Sequence, residues 1–178
     1  NAEFTLPIMS KFPKLSNAVL SNNFVKALTK KIFGFVDIPL FSEKTSAQEC
    51  KENDFEILSA QKAEKSDYEV IIVTDPFTVC YEADGLVKMA CVIRNLGYKV
   101  AFLRPYVNGK IKIIRGQRRS FLHYAAKQSA RLERIAKTDK ALVGYDPALT
   151  ICYRDEYAQM LGEQKGEFNV LLPEEWLT

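Results

Sequence analysis

Two segments of the chain repeat the same order of residue types and could carry chemistry. Residues 75–81 read Asp-Pro-Phe-Thr-Val-Cys-Tyr, and residues 146–153 read Asp-Pro-Ala-Leu-Thr-Ile-Cys-Tyr. Each segment follows an apolar run that is typical of a buried strand. If both strands are parallel, Asp75 and Asp146 lie at the sheet edge where α/β domains bind ligands. The alternative is two ordinary helix starts, since Asp caps helices and proline is common at the first helical position.

Cys80 and Cys152, at the end of these segments, could supply thiol chemistry. We expect both in or near the first turn of a helix, where the helix dipole lowers the pKa of a thiol and favours the thiolate. Thiolates permit metal or redox chemistry, but we favour the alternative that both are small buried apolar residues. No two of the four cysteines form a C-x-x-C pair, and two cysteines cannot hold a four-iron cluster. We therefore expect neither a metal site nor a bound cofactor in this chain.

Asn108 and Lys110 complete the candidate crevice. Asn-Gly strongly favours a turn, so residues 105–116 are predicted to form a loop or hairpin. A carboxylate, lysine and amide set beside two helix N-termini could orient a carboxylate ligand or fix a docking face. The basic group around this loop could bind phosphate, carboxylate or an acidic partner domain, with a solvated surface as the alternative. Its members are Arg104, Lys110, Lys112, Arg115, Arg118 and Arg119.

The elements that must position these residues alternate between strand and helix. Apolar runs predict strands at residues 70–73, 98–103, 141–145 and 168–172. Helices are predicted at residues 81–96, 117–137 and 148–161. This alternation implies βαβ crossovers and predicts an α/β, Rossmann-like three-layer domain with a short, mainly parallel sheet over residues 67–178. Neither G-x-G-x-x-G nor a P-loop is present, so nucleotide binding by these fingerprints has no support.

Residues 1–66 differ from the rest of the chain and are predicted to form an irregular or helical connector arm. A short amphipathic helix is expected over residues 22–33, ended by Gly34. Residues 42–67 are polar with little periodicity, which is typical of a linker or wrapping arm.

The bulk composition argues against several functional classes. A net charge of +3 is too small to suggest nucleic-acid binding. The chain has no apolar run long enough for a transmembrane segment and no secretory signal at its start. Widely spaced cysteines in a domain with a good core favour reduced thiols and a cytoplasmic location. Because the chain begins without Met, we expect it to be a fragment of a larger protein.

Several separated motifs together resemble one protein family. They are residues 73–78 (Val-Thr-Asp-Pro-Phe-Thr), 97–100 (Gly-Tyr-Lys-Val), 108–110 (Asn-Gly-Lys), 143–149 (Val-Gly-Tyr-Asp-Pro-Ala-Leu), 152–157 (Cys-Tyr-Arg-Asp-Glu-Tyr) and 175–177 (Glu-Trp-Leu). The set resembles the C-terminal region of bacterial FAD-linked, iron–sulfur dehydrogenases of D-2-hydroxy acids, of the D-lactate and D-2-hydroxyglutarate type. In that family, a flavin-binding oxidase part and a ferredoxin-like [4Fe–4S] part precede a domain related to the cysteine-rich CCG domains.

The resemblance implies a function for the parent protein and a supporting role for this chain. The parent would be a flavoprotein that oxidises a D-2-hydroxy acid through FAD and passes electrons through [4Fe–4S] clusters to an acceptor that the sequence does not identify. The chain would be a non-catalytic accessory domain, inactive alone, with the flavin and iron–sulfur domains of the same polypeptide as its partners. The implied location is cytoplasmic, with a peripheral position at the inner membrane as the alternative.

The chain departs from the family pattern where CCG domains carry cysteine. Asn108-Gly109-Lys110 replaces the Cys-Cys-Gly element, and the later Cys-Pro-x-Cys-like element reads Asp146-Pro147-Ala148-Leu149. Asp, Asn and Lys would therefore line the crevice in place of thiols. The alternative function is a small-anion-binding or subunit-docking module without a redox role.

Overall fold

Short apolar runs form the strands of one sheet in the computed structural model, which describes residues 12–22, 25, 31 and 39–178. Such runs suit parallel strands because both faces of the strand are buried. The strands are β1 Ile57–Leu58, β2 Val70–Ile72, β3 Val100–Leu103, β4 Ala141–Val143 and β5 Val170–Leu171. The helices are α1 Pro13–Ser21, α2 Ser46–Glu52, α3 Ala60–Lys65, α4 Pro76–Tyr81, α5 Ala83–Asn95, α6 Lys110–Ile114, α7 Arg118–Ala136, α8 Pro147–Leu161 and α9 Pro173–Trp176.

The sheet runs in the order β1-β3-β2-β4-β5, and each of its strand pairs is parallel. Ile71, in the middle of β2, pairs with Ala101 of β3 on one side and with Leu142 of β4 on the other. The predicted α/β, Rossmann-like fold with a short parallel sheet is therefore confirmed.

The sheet has helices on both faces because successive side chains of a strand point in opposite directions. Ile71 and Leu142 belong to the core beneath α7 and α8. Ile72, Phe102 and Val143 belong to the opposite core, which α5 covers. The two cores lie between the sheet and the helices on either side of it, so the domain has three layers.

Residues 46–65, where the sequence predicts a linker or wrapping arm, form α2, β1 and α3 instead. β1 extends the sheet beside β3, and the ring of Phe55 packs edge-on against the ring of Phe102, with 5.7 Å between the ring centroids. Thr45 caps α2 through a reciprocal capping box with Gln48. The helix predicted over residues 22–33 lies almost wholly outside the described residues, so that part of the arm stays a prediction.

Two further elements differ from their sequence predictions. The helix predicted at 81–96 corresponds to α5, and a separate short helix, α4, precedes it; the two are separated by Glu82, whose ψ of 29° is not helical. The loop predicted at 105–116 contains α6, because Gly109, at φ +93°, forms the N-cap of a helix rather than the turn of a hairpin. Helices α7 and α8 lie within one residue of their predicted bounds.

The order of the strands places a topological switch point between β2 and β4. The chain passes from β2 to β3 on one side, and then crosses β2 to reach β4 on the other side. The helices that follow these strands diverge, since α5 packs on one core and α8 on the opposite core. Ligands of doubly wound folds bind at such a point, beyond the carboxyl ends of the strands.

Candidate functional site

Asp75 and Asp146 stand at this switch point, as the parallel sheet requires, and both cap helices. Asp75 Oδ1 accepts the backbone N–H groups of Phe77 at 2.7 Å and Thr78 at 3.2 Å, at the start of α4. Asp146 Oδ1 accepts the N–H of Leu149 at 2.8 Å, at the start of α8. Each cap satisfies donors that a helix leaves free at its first turn.

The two aspartates differ in burial. Asp75 is 4% exposed, and its second oxygen accepts the hydroxyl of Thr78. Burial raises the pKa of the Asp75 carboxyl above its ordinary value, and the charge of Asp146 adds a smaller upward effect. The hydroxyl of Thr78 and the backbone N–H donors act in the opposite direction. Asp146 is half-buried and lies nearer the surface.

Asn108 links the loop after β3 to the start of α8. Its side-chain amide donates to the carbonyl of Leu149 at 3.1 Å, and its side-chain oxygen accepts the N–H of Lys110 at 3.1 Å. The hydroxyl of Tyr157, on α8, donates to the backbone carbonyl of Asn108 at 2.7 Å. Asn108 is 4% exposed, so it works as a structural bridge within the crevice.

Lys110 does not offer a free ammonium group to the crevice. Its Nζ forms an ion pair with Oε1 of Glu156 on α8, and the two side chains are 24% and 21% exposed. Oε2 of Glu156 is buried and has no hydrogen-bond partner among the described residues. The positive charge that was expected to attract an anion is therefore neutralised by a neighbour on the adjacent helix.

The crevice between the two loops is almost filled. A cavity of about 10 Å³ remains between Asp75, Asn108, Lys110 and Leu149. A second cavity of about 170 Å³ opens beside it, where Asp146 and Glu82 supply carboxylates and Phe77 and Tyr81 supply rings. Four of the residues predicted to share a site converge at one edge, and their polar groups bond mainly to neighbouring backbone groups and to Glu156; they are Asp75, Asn108, Lys110 and Asp146. Cys80 and Cys152 lie instead in separate buried clusters.

Cys80 and Cys152 lie beyond the first turn of their helices. Cys80 is the fifth residue of α4 and Cys152 the sixth of α8. Both are buried, and burial raises the pKa of the Cys152 thiol to about 12. The environment of Cys152 therefore favours the neutral thiol, which matches its interpretation as a small buried apolar residue.

The four cysteines of this chain do not fit an iron–sulfur cluster. Cys50 and Cys152 belong to cores on opposite faces of the sheet, and Cys80 packs in a third cluster with Phe41. Burial also raises the pKa of the Cys50 thiol, to about 11. No cluster of three or more His, Cys, Asp or Glu side chains suited to a metal ion occurs in the described part of the chain.

Sequence reasoning missed the polar residues of α8 that support the crevice. Tyr153 is fully buried, and its hydroxyl lies beside the side chains of Asn108 and Gln128. Tyr153, Glu156 and Tyr157 all face the loop that carries Asn108 and Lys110. Tyr153 is followed by Glu156 and Tyr157 at spacings of three and four residues, which puts all three on one face of the helix. This spacing was the signal in the sequence from which their shared position could have been predicted.

A more open cavity, of about 410 Å³, lies at the opposite edge of the sheet. Tyr68 and Glu69 precede β2 there, and Tyr98 and Trp176 form an edge-on aromatic pair at 4.9 Å. It is an open groove at the amino ends of the strands, away from the switch point. Within the described ranges, no helix has the length and apolar character needed to cross a bilayer.

Comparison with known proteins identifies relatives along nearly the whole chain. It is 39% identical over 176 residues to a D-2-hydroxyglutarate dehydrogenase of Pantoea ananatis, and 38% identical over 176 residues to one of Escherichia coli. A protein of the same name from Pseudomonas putida is 33% identical over 181 residues. These alignments cover 96% to 98% of this chain but only 17% to 18% of the relatives.

No family model matches the chain, and no solved structure gives a significant match. The relatives are about five to six times longer than the chain, because the chain spans 17% to 18% of their length. The resemblance expected from the separated motifs is confirmed: nearly the whole chain is homologous to one segment of the bacterial D-2-hydroxyglutarate dehydrogenases.

Proposed function

We propose that this chain is a non-catalytic accessory domain of an oxidoreductase that acts on a D-2-hydroxy acid of the D-2-hydroxyglutarate type. The observation that carries the proposal is the alignment of nearly the whole chain with a small segment of proteins that bear this name. FAD and [4Fe–4S] clusters would be held by other domains of the same polypeptide, which is also where the substrate would be oxidised. We place the protein in the cytoplasm, with a peripheral position at the inner membrane as the alternative.

The geometry of the switch point supports docking over binding of a small anion. The crevice leaves about 10 Å³, which is too little for a carboxylate ligand. Glu156 neutralises Lys110, and the neighbouring cavity carries the carboxylates of Asp146 and Glu82. An anion entering that cavity would meet like charges, which disfavour its binding.

Cofactor analysis of the intact polypeptide and of a version lacking this segment tests the proposal. Both should contain the same flavin and iron per chain, and the isolated 178-residue chain should contain neither. D-2-hydroxyglutarate oxidation with a dye as electron acceptor should persist in the shortened protein at a reduced rate. Stoichiometric flavin or an iron–sulfide chromophore in the isolated chain would refute the accessory role.

Asp146→Asn separates a functional carboxylate from a simple helix cap. Asparagine keeps an oxygen that can accept the N–H of Leu149, so the melting temperature should change little. If the half-buried carboxylate contributes to docking, turnover of the intact polypeptide should fall while its flavin content stays constant. Equal turnover in the two proteins would leave capping as the whole role of Asp146.

A further inference from the structure

The first turn of α7 and the end of α6 form an exposed corner that is rich in arginine. Ile114 is 71% exposed, and Arg115, Arg118 and Arg119 are exposed beside it. Gly116, at φ +70°, makes the turn between the two helices. We call residues 114–119 the arginine corner. None of its arginines forms an ion pair with a carboxylate of the described residues.

The charge of this region is strongly one-sided. Residues 85–132 contain eleven Lys and Arg residues and no Asp or Glu, although the whole chain carries only +3. Several of these cations are neutralised by other parts of the chain: Lys88 by Asp84, Lys99 by Asp67 and Lys110 by Glu156. The arginine corner keeps its three charges exposed and is therefore a positive patch on the surface of the domain.

The corner lies on the same side of the domain as the switch point. Residues 104–109 lead from the carboxyl end of β3 to α6, and the corner begins at the end of α6. Arg118 lies thirteen residues before Arg131, or about 20 Å along the axis of α7 at 1.5 Å per residue. Because Arg131 donates to the carbonyl of Arg104, Arg104 lies beside the second half of α7, away from the corner.

We propose that the arginine corner docks against an acidic surface on another domain of the same polypeptide. This rests on the proposed function, because the partner lies in the more than four-fifths of the homologous proteins that this chain does not span. The guanidinium fork of arginine matches a carboxylate in a bidentate geometry, and arginine is enriched in protein interfaces whereas lysine is depleted. Three of the eight arginines of the chain stand within five positions here, although lysine is twice as common overall.

A protein partner fits the corner better than a lipid surface does. Amphipathic segments bind a membrane surface through a broad apolar face that is buried in the bilayer together with basic residues that attract anionic lipids. Ile114 is the one large apolar side chain exposed at this corner. A protein interface needs less exposed apolar surface than a membrane contact does, because an apolar residue can be surrounded by arginines that pair with carboxylates of the partner.

Zero-length cross-linking of the intact polypeptide tests the docking. Arg118→Lys keeps the positive charge and adds an amine that a carbodiimide couples to a nearby carboxylate. Mass spectrometry should then find this position linked to Asp or Glu outside the 178 residues. Arg104→Lys is the matched control, because Arg104 is also exposed but lies beside Arg131 in the second half of α7, outside residues 114–119. Links confined to the 178 residues, or equal linkage of the control, would overturn the proposal.

Charge reversal provides a second measurement that does not depend on coupling chemistry. Arg118→Glu together with Arg119→Glu should reduce the hydrogen-exchange protection of α6 and the first turn of α7 in the intact polypeptide at least about tenfold, as loss of charge-paired interface contacts predicts. Glutamate at the first turn of α7 also suits the helix dipole, so folding should persist. Lys62→Glu with Lys65→Glu, on α3, should leave that protection unchanged.

Two outcomes separate the explanations. In the first, the intact polypeptide binds phosphatidylglycerol vesicles and loses that binding with Arg118→Glu and Arg119→Glu. If no carboxylate cross-link formed, this result would assign the corner to a lipid surface and overturn the proposal. A cross-link in a polypeptide that does not oxidise D-2-hydroxyglutarate would confirm the docking and refute the proposed function of the parent.

Discussion

Replacing Lys110 should destabilise the domain, because the structure pairs this lysine with a partly buried carboxylate. An exposed loop lysine, which the sequence predicts here, could be removed at little cost. Lys110 instead begins α6 and contacts Glu156 of α8, and both side chains are less than a quarter exposed. Lys110→Ala would leave both carboxylate oxygens of Glu156 without a charged partner, since Oε2 already has none among the described residues.

The size of the effect follows from the burial of the pair. Breaking a fully buried pair costs about 3–5 kcal/mol, and stranding a single buried polar group costs about 1–3 kcal/mol. The residual exposure of Lys110 and Glu156 places Lys110→Ala in the lower range, at about 2 kcal/mol. For a chain of this length that is a fall in melting temperature of roughly 4–8 °C.

A double-mutant cycle measured by urea denaturation separates the ion pair from simple side-chain loss. Glu156→Gln combined with Lys110→Ala should recover part of the loss, because the second change removes the stranded charge. Lys127→Ala, at an exposed lysine of α7 without an ion pair among the described residues, should change the unfolding free energy by less than about 0.5 kcal/mol. If Lys110→Ala cost no more than Lys127→Ala, the pairing with Glu156 would contribute nothing.

Three further predictions follow from the same region. Burial raises the pKa of Asp75 above its ordinary value, so the folded state holds that proton more tightly, and the contribution of Asp75 to stability should fall as pH rises from about 4. The stability of the Asp75→Asn variant relative to the unsubstituted chain should therefore rise over that pH window in urea titrations. With a pKa of about 12 and no exposure, Cys152 should resist iodoacetamide at pH 8 until the chain unfolds, whereas the half-buried Cys91 should react in the native state, as peptide mass mapping would show. Gly144→Ala would bring a methyl group within 2.0 Å of the Thr150 hydroxyl, so thermal melts should show a loss of about 1–3 kcal/mol that Gly144→Ala combined with Thr150→Ala partly restores.

The sequence was sufficient for the features that depend on local pattern. Apolar runs alternating with helical segments predicted the parallel sheet, and the parallel sheet then brought Asp75 and Asp146 to one edge. Features that depend on tertiary contacts could not be predicted from the sequence. β1 has only two residues, too few for a periodic signal, and its strand character comes from pairing with β3.

The chemistry of the crevice was harder to predict than its position. The position of Cys152 near a helix start suggested a thiolate, but the pKa of the thiol is governed by burial, which depends on packing from several elements. Likewise, Asn-Gly-Lys gave the location of Lys110 without showing that Glu156, 46 residues later, would neutralise it. A contact between two residues that are 46 positions apart cannot be predicted from a single sequence, because no local pattern records it.

The crevice and the arginine corner show opposite ways of using polar groups at one end of a doubly wound fold. A switch point binds ligands when helix N-termini and side chains are left free to face it. Here Asp75 and Asp146 accept hydrogen bonds from helix N–H groups, and the side-chain amide of Asn108 donates to a backbone carbonyl of α8. Glu156 forms an ion pair with Lys110. The groups that would recognise a small ligand are thus already bonded within the domain, either to the helix that follows or across to α8, and these contacts restrict the motion of this edge. The arginines of residues 114–119, by contrast, stand outside this network with their donors exposed. A rigid edge that carries exposed guanidinium groups is suited to holding a neighbouring domain in a fixed position, because little conformational entropy is lost when the contact forms.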